Sequence, residues 1–453
     1  MSREQRIIRE IKVDPIGKVK IAVVDIDGIL RGKVVHRDKF LSSVTNGFGF
    51  CNVVFGWDAA DVCYDNVRYT GWHTGYPDET ARVDLDTFRR VPWDNNIPFF
   101  LADFCDASGK PLAICPRQLL KAIREESRAL GLEPFFSQEF EWFNFRETAE
   151  QWNRKGYQNP TPITPGMFGY SLLRANTHRT FFNELFDLLG RFGVPVEGLH
   201  TETGPGVYEA AIQYADLLEA ADRAVLFKAG CKEIAQQHQI MPSFMAKWHE
   251  GYPGCSGHLH QSLWDIDQKR NLFFDAAQLN QMSELMRSYL AGQLTCLPEL
   301  LPMVAPTINS YKRLVEGAWA PTTVTWGIEN RTCALRAIPG SEKSIRLETR
   351  IPGADVNPYL AMAAALASGL YGVKRKLKLE QPHTVGSGYA DKSHGVLPRT
   401  LAEATAVMKR SAIAKEVLGT DFVAHFVETR EWECRQYQKA VTDWELKRYF
   451  EII

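Results

Sequence analysis

The stretch Ile345-Arg346-Leu347-Glu348-Thr349-Arg350-Ile351 constrains what this chain can fold into more than any other. Read as a β-strand, its side chains alternate between two faces. Ile345, Leu347, Thr349 and Ile351 then share one face, and Arg346, Glu348 and Arg350 share the other. The apolar set belongs in a core, so the charged set must meet water, a partner or a site. Two guanidiniums flanking a carboxylate can hold phosphate, a substrate carboxylate and a cation-bound oxygen together. A solvated face with self-neutralising charges reads the same way in isolation. The other carboxylates of the chain decide between the two.

Glu139-Phe140-Glu141 lies in an aromatic strand-like run, Phe135 to Phe143, and alternation puts both glutamates on one face. Like charges at that spacing call for a cation unless the face is a wet edge. Glu202 and Glu209 bracket Gly204-Pro205-Gly206, which must turn and so brings the two carboxylates together. His258-Leu259-His260 repeats the same-face spacing after the flexible Gly254 to Gly257, although a satisfied core histidine is the commoner fate of either residue. Glu139, Glu141, Glu202, Glu209, Glu348 and His258 could fill two sites of three ligands each. Oxygen-rich ligation favours Mg²⁺ or Mn²⁺ over Zn²⁺. Arg313, Arg331, Arg336, Arg346 and Arg350 cluster downstream, and arginines beside hard cations stabilise a transferring phosphoryl group. No Walker-type phosphate loop occurs, so a nucleotide would be held by other means.

Asp25-Ile26-Asp27-Gly28-Ile29-Leu30 resembles the nucleophile loop of haloacid dehalogenase-type phosphatases, but Ile29 stands at the threonine position and no α/β alternation follows. A hairpin turn between Val19–Val24 and Arg31–Val35 is expected instead. The chain has 453 residues, too many for one ordinary core, and two or three structural units are expected. The turn cluster Asp106-Ala107-Ser108-Gly109, followed by Pro116 at the first turn of a helix, places a boundary that separates residues 1–110 from 111–453. Residues 47–84 read as ordered loops. Beyond the boundary, strands (Phe135–Phe145, His258–Trp264) mix irregularly with helices (Arg174–Phe192, Leu217–Gln237, an Ala-rich helix from Asn357-Pro358, and a charged helical tail), which favours an α+β fold. A net charge of −1 gives no electrostatic case for nucleic acid or an anionic membrane. Met1 to Lys20 is charged throughout, so no secretory signal is expected, and the Ala-rich run Pro358–Val373 is too short to span a bilayer. Nine scattered cysteines without a C-x-x-C pair argue for reduced thiols in a cytoplasmic protein, with Cys231, Cys255 and Cys333 as core filler.

These motifs, in this order, resemble the glutamine synthetase superfamily over nearly the whole chain. Asn309-Ser310-Tyr311-Lys312-Arg313-Leu314, Asn330-Arg331-Thr332 and Asn357-Pro358-Tyr359 add to the glutamate, histidine and Arg346–Arg350 motifs above. The resemblance implies a small β-grasp-like N-terminal domain and a large catalytic domain with a curved antiparallel sheet. It also implies stacked rings, a dodecamer, with each active site between one N-terminal domain and a neighbour's catalytic domain. Carried over by position, Glu141, Glu202 and Glu209 match one metal site, and Glu139, His258 and Glu348 the other, for two or three Mg²⁺ or Mn²⁺ ions. Arg331, Arg336 and Arg346 match phosphate-binding arginines, while His260 and Ser262 match ATP contacts. Gly254, Arg313 and Arg350 match the residues that hold glutamate and its γ-glutamyl phosphate.

The departures bear on the acceptor. Ammonium-using members carry an acid in the flap, whereas Glu316-Gly317-Ala318-Trp319-Ala320-Pro321 places Trp319 there. An indole cannot take a proton, but its face can pack an alkyl chain or attract a cationic amine. Trp319 as simple flap packing is the plain alternative. Pro253 replaces an asparagine, and the tyrosine nucleotidylated in some bacterial members is missing near Lys376–Gln381. The family's ammonium-site aspartate has no clean counterpart, with Asp58 and Asp61 nearest. These losses are similar to those of the glutamate–amine ligases, which join glutamate to polyamines, ethanolamine or other amines. Three readings follow: a γ-glutamyl–amine ligase, an ammonium-using glutamine synthetase with a rearranged acid such as Glu316, and a non-catalytic structural relative. The intact ligands and arginines weigh against the third.

Overall fold

Strands of the chain gather into a five-stranded and a nine-stranded sheet, and the computed structural model describes residues 1–453. The first sheet is built from β1 (Lys18–Val24), β2 (Leu30–His36), β3 (Phe48–Cys51), β4 (Asp78–Val91) and β5 (Ile97–Cys105), in the order β2-β1-β5-β4-β3. β1 and β2 are an antiparallel hairpin closed at Val24 and Leu30, as the β-branched run and the Asp-Gly turn predict. Inside that turn the Asp25 carboxylate accepts from the amides of Asp27 and Ile29 at 3.0 and 2.9 Å and from Arg31 Nε at 2.8 Å. Asp25 is a buried turn acceptor, not an exposed nucleophile. Two helices, Arg3–Lys12 and Arg37–Asn46, cover this sheet in a region whose sequence reads only as strand and loop. The first is short and charged, with two buried anchors, Ile7 and Ile11, and is fixed by a capping box from Ser2 and Gln5.

The second sheet comprises β6 (Leu132–Phe145), β7 (Val196–Thr201), β8 (Val207–Ile212), β9 (Ala215–Asp216), β10 (Met241–Ser243), β11 (Leu259–Asp265), β12 (Trp326–Ile328), β13 (Leu335–Ile338) and β14 (Arg346–Thr349). Its main path is β12-β13-β14-β11-β6-β8-β7, antiparallel except for β12 with β13. β6 is the spine. Phe136, Gln138, Phe140 and Trp142 are buried on one face, and Phe135, Ser137, Glu139 and Glu141 stay half-open on the other. Behind the buried face lie the helices Pro116–Ala129, Leu217–Gln237, Glu284–Val304 and Pro358–Arg375, with Phe140 stacked on Phe227 at 5.8 Å. The start signals are as expected: Pro116 and Pro358 occupy first turns, and Asp216 and Asn357 cap their helices. The helix Glu284–Val304 contains Pro298 and Pro302, which hide it from a sequence reading. It lies against Pro358–Arg375 through Gly292, where a Cβ would sit 2.3 Å from the Ser368 carbonyl oxygen.

A buried ion cluster joins the first sheet to the helices behind the second. Arg117 pairs with both Asp222 oxygens at 2.8 and 2.9 Å, with Asp103 at 2.8 Å and with Asp84 at 2.9 Å. Tyr359 donates to Asp222 at 2.6 Å, which ties in the Ala-rich helix. All nine cysteines are free, and Cys231, Cys255 and Cys333 are buried. No helix is long and apolar enough to cross a membrane.

Candidate active site

Strand register assembles the carboxylates on the open face of the second sheet. Glu141 on β6 pairs across to Glu209 on β8, and Glu209 pairs across to His200 on β7. Glu202 closes this first group, with His200 Nε2 3.4 Å from Glu202 and 3.5 Å from Glu209. The second group forms around Glu348, which lies opposite His260 on β11 and Arg336 on β13. His258 Nδ1 is 3.4 Å from Glu348 and 3.8 Å from Glu139, and His260 Nε2 is 3.2 Å from Glu139. Glu139 and Glu141, two residues apart on one strand, link the groups.

Two of the three charged residues of the stretch 345–351 are buried, and Arg346 is half-buried. Glu348 is 1% exposed and Arg350 4%. Glu348 accepts from Arg336 Nη1 at 3.0 Å and from Arg350 Nη1. Burial disfavours its charge, yet His258, His260 and Arg350 outweigh burial and hold its carboxyl at about 2. His258 goes the other way: burial, then the Arg350 charge, lowers its pKa, so the ring is neutral and has a lone pair to give. Arg346 Nε donates to His260 Nδ1 at 3.2 Å. His260 Nδ1 is thus an acceptor and its Nε2 faces Glu139, while His258 Nε2 has no partner.

Whether a divalent cation suits these residues can be judged from their partners. Glu139, Glu141 and Glu209 face one another with no lysine or arginine paired to any of them. Glu209 is pushed up to about 7 by burial and by the charges of Glu141 and Glu139. Burial would lower His200, but its bonds to Glu202 and Glu209 outweigh this and raise it to about 9. Acceptor-only oxygens in this number, beside an unpartnered His258 Nε2, fit hard cations.

A cavity of about 310 Å³ opens beside the second group, lined by Ser137, Glu139, His260, Ser262, Arg346 and the aromatic walls Phe135, Tyr214 and Trp264. It brings together three of the sequence-derived nucleotide contacts, Arg346, His260 and Ser262. Arg336 is drawn to Glu348 and Glu329. Arg331 is exposed, and its carbonyl accepts from Arg350 Nε at 2.9 Å. Arg313 is buried and donates to the Ile351 and Arg350 carbonyls at 2.8 and 3.3 Å. Gly254 packs on it so closely that a Cβ would lie 2.7 Å from Arg313 Cγ and 2.5 Å from the Ala246 oxygen. Trp319 sits in the flap at φ +58°, 64% exposed, its backbone against the Tyr389 hydroxyl. Glu316 is bound at 2.8 Å to Lys392.

Asp58 stands apart from both groups. Its Oδ1 accepts from the amides of Ala60 and Val62, and its Oδ2 from Trp432 Nε1 at 2.9 Å. His200 and Tyr170, stacked on each other at 4.5 Å, were not legible as site residues. The signal available was the alternation His200, Glu202 entering the Gly-Pro-Gly turn.

Residues 113–449 match the glutamine synthetase catalytic domain family. The chain belongs to the glutamine synthetase family. As a member it is an ATP-dependent ligase of the C–N bond-forming kind. The family member is 54% identical to the type-1 glutamine synthetase 2 of Dictyostelium discoideum, over 100% of this chain and 87% of that protein. It is 36% identical to a glutamate–isopropylamine ligase of a Pseudomonas species, over 97% of this chain and 96% of that one. It is 37% identical to a gamma-glutamylethanolamide synthetase of Streptomyces coelicolor, over 96% and 93%. Among solved structures, GmaS in complex with ADP superposes with a TM-score of 0.84 at 27% identity, covering 99% of this chain and 100% of that one.

Proposed function

We propose that the protein joins glutamate to a primary amine. ATP transfers its γ-phosphoryl group to the γ-carboxylate of glutamate and leaves as ADP; the amine, deprotonated to solvent, attacks the acyl carbon, and phosphate leaves as the amide forms and the nitrogen releases a second proton. One observation carries the choice of an amine over ammonium: the flap presents an exposed indole, Trp319, and its one carboxylate, Glu316, is tied to Lys392. A deprotonating acid is thus missing where ammonium would need one, and an aromatic surface for an alkyl amine stands in its place. The relatives named for isopropylamine and ethanolamine agree with this. The 54% identity to a type-1 glutamine synthetase keeps ammonium as the second reading.

Within this reading, His258, Glu139 and Glu348 hold one Mg²⁺ or Mn²⁺, and Glu141, Glu202 and Glu209 hold another, with His200 beside them. Bound cations offset the charge of the phosphates. Arg346 orients the nucleotide in the cavity next to Ser262 and His260, Arg336 adds charge from its place on Glu348, and Arg331 adds charge beside Tyr170. Arg313, Arg350 and Gly254 form the glutamate side, the first two buried and so preorganised. Asp58, held within its own chain by Trp432, would serve an acceptor site only at a neighbour's catalytic domain in a stacked ring. The unpaired thiols suit the reducing cytoplasm.

Trp319→Glu tests the acceptor. The ratio of ammonium-dependent to amine-dependent phosphate release is expected to rise about tenfold or more, the size of one gained charge-assisted contact. An unchanged ratio makes Trp319 flap packing, and wild-type turnover fastest with ammonium sinks the amine reading. His200→Ala tests the first cation group. Mn²⁺ affinity, read by electron paramagnetic resonance, should fall about 10- to 100-fold, as for other residues that orient ligands. Unaltered affinity would place the cation elsewhere.

A further inference from the structure

A basic surface cavity of about 670 Å³ lies outside the active site, between the end of β6 and the start of the helix Arg179–Arg191. Arg146, His178, Arg179 and His238 line it together with Thr180 and Gln151, and no carboxylate does. Arg179 is exposed and makes no hydrogen bond or ion pair, and Arg146 is paired with no carboxylate. The helix opens without a side-chain cap. Nearby Glu184 is held by His238 Nε2 at 2.7 Å. The two guanidiniums, neither paired with a carboxylate, offer more donors than one carboxylate accepts. They match the three oxygens of a phosphate monoester. The volume leaves room for a body attached to it.

The cavity also touches the catalytic face through one carbonyl. Arg146 Nη2 and His178 Nε2 both bind the Ile163 oxygen, at 2.9 and 3.1 Å. Ile163 begins the segment that carries Tyr170, whose amide binds the Thr201 carbonyl and whose ring stacks on His200. We propose that this cavity is an effector site for a phosphate-bearing small molecule. Its occupant would draw Arg146 and His178 from Ile163 and so shift Tyr170 against the His200 group.

Calorimetric titration of the full-length protein with ribose 5-phosphate, and with inorganic phosphate, tests the site. Arg346→Met serves as the control for phosphate bound in the nucleotide cavity. Wild type and Arg346→Met are expected to bind ribose 5-phosphate alike, with Arg179→Met and Arg146→Met at least tenfold weaker. Because Arg179 has no partner, its truncation leaves the fold intact, which circular dichroism verifies. No binding by wild type, or binding that both arginine variants retain, overturns the site. At saturating substrates, ribose 5-phosphate should change phosphate release at least twofold in wild type and leave Arg179→Met unaffected. Binding with no change in wild-type turnover overturns the effector role.

Discussion

Glu348→Gln should lower ATP-dependent phosphate release about a thousandfold or more, as expected when a charge at a phosphoryl-transfer centre is removed. The glutamine keeps the shape of the side chain, and its one amide oxygen can still accept from either Arg336 or Arg350, which reach different oxygens of Glu348, so it costs the fold less than alanine does. Glu348→Ala loses activity too, but it strands two guanidiniums around a residue 1% exposed. Breaking a buried pair in this way costs about 3–5 kcal/mol, with the lower end expected because Arg336 also holds Glu329. The glutamine variant therefore separates chemistry from stability. A melting temperature near that of wild type, with turnover above a tenth of wild type, would remove Glu348 from the reacting centre.

Arg117→Met should destabilise the protein more than any change at the active site, by about 3–5 kcal/mol, while a protein that does fold keeps its catalytic groups in place. Asp222, Asp103 and Asp84 would lose their shared cation, and Lys121 reaches only the last two. The acid side of the stability curve carries a signature. Burial raises the Asp84 pKa, but the charges of Arg117 and Lys121 outweigh it and bring it down to about 2. A carboxyl depressed in the folded state stabilises fully above its unfolded pKa of about 4 and loses that contribution as pH falls towards 2. Wild-type stability should therefore drop between about pH 5 and 2, and more steeply than that of Arg117→Met. Parallel curves from thermal unfolding at several pH values would show that Arg117 is not what holds Asp84 ionised.

The strands of the candidate site were legible because each side chain in them obeys one rule. Alternation alone put Glu139 with Glu141, His258 with His260, and Arg346 with Glu348 and Arg350, and register in the sheet brought these pairs together. The residues that escaped obey no such local rule. His200 belongs to a short strand with little apolar contrast, and it becomes a site residue only because β7 pairs with β8. The helix Glu284–Val304 was obscured by two prolines that its buried position tolerates. Asp58 looked available in the sequence, but Trp432, 374 positions away, takes its second oxygen. Local pattern carries information about faces, whereas pairing across hundreds of residues is a property of the assembled chain.

Glu139 and Glu141 are separated by two residues of one strand, about 6.8 Å of rigid backbone. The interval between the two carboxylate groups is thus a fixed gauge that no loop movement can reset. Trp319, Glu316 and the segment before Tyr170 are carried instead on turns with no such constraint. Evolution or a designer can rewrite the acceptor by exchanging loops while the gauge stays untouched, so new amides become accessible without relearning how to activate the acid.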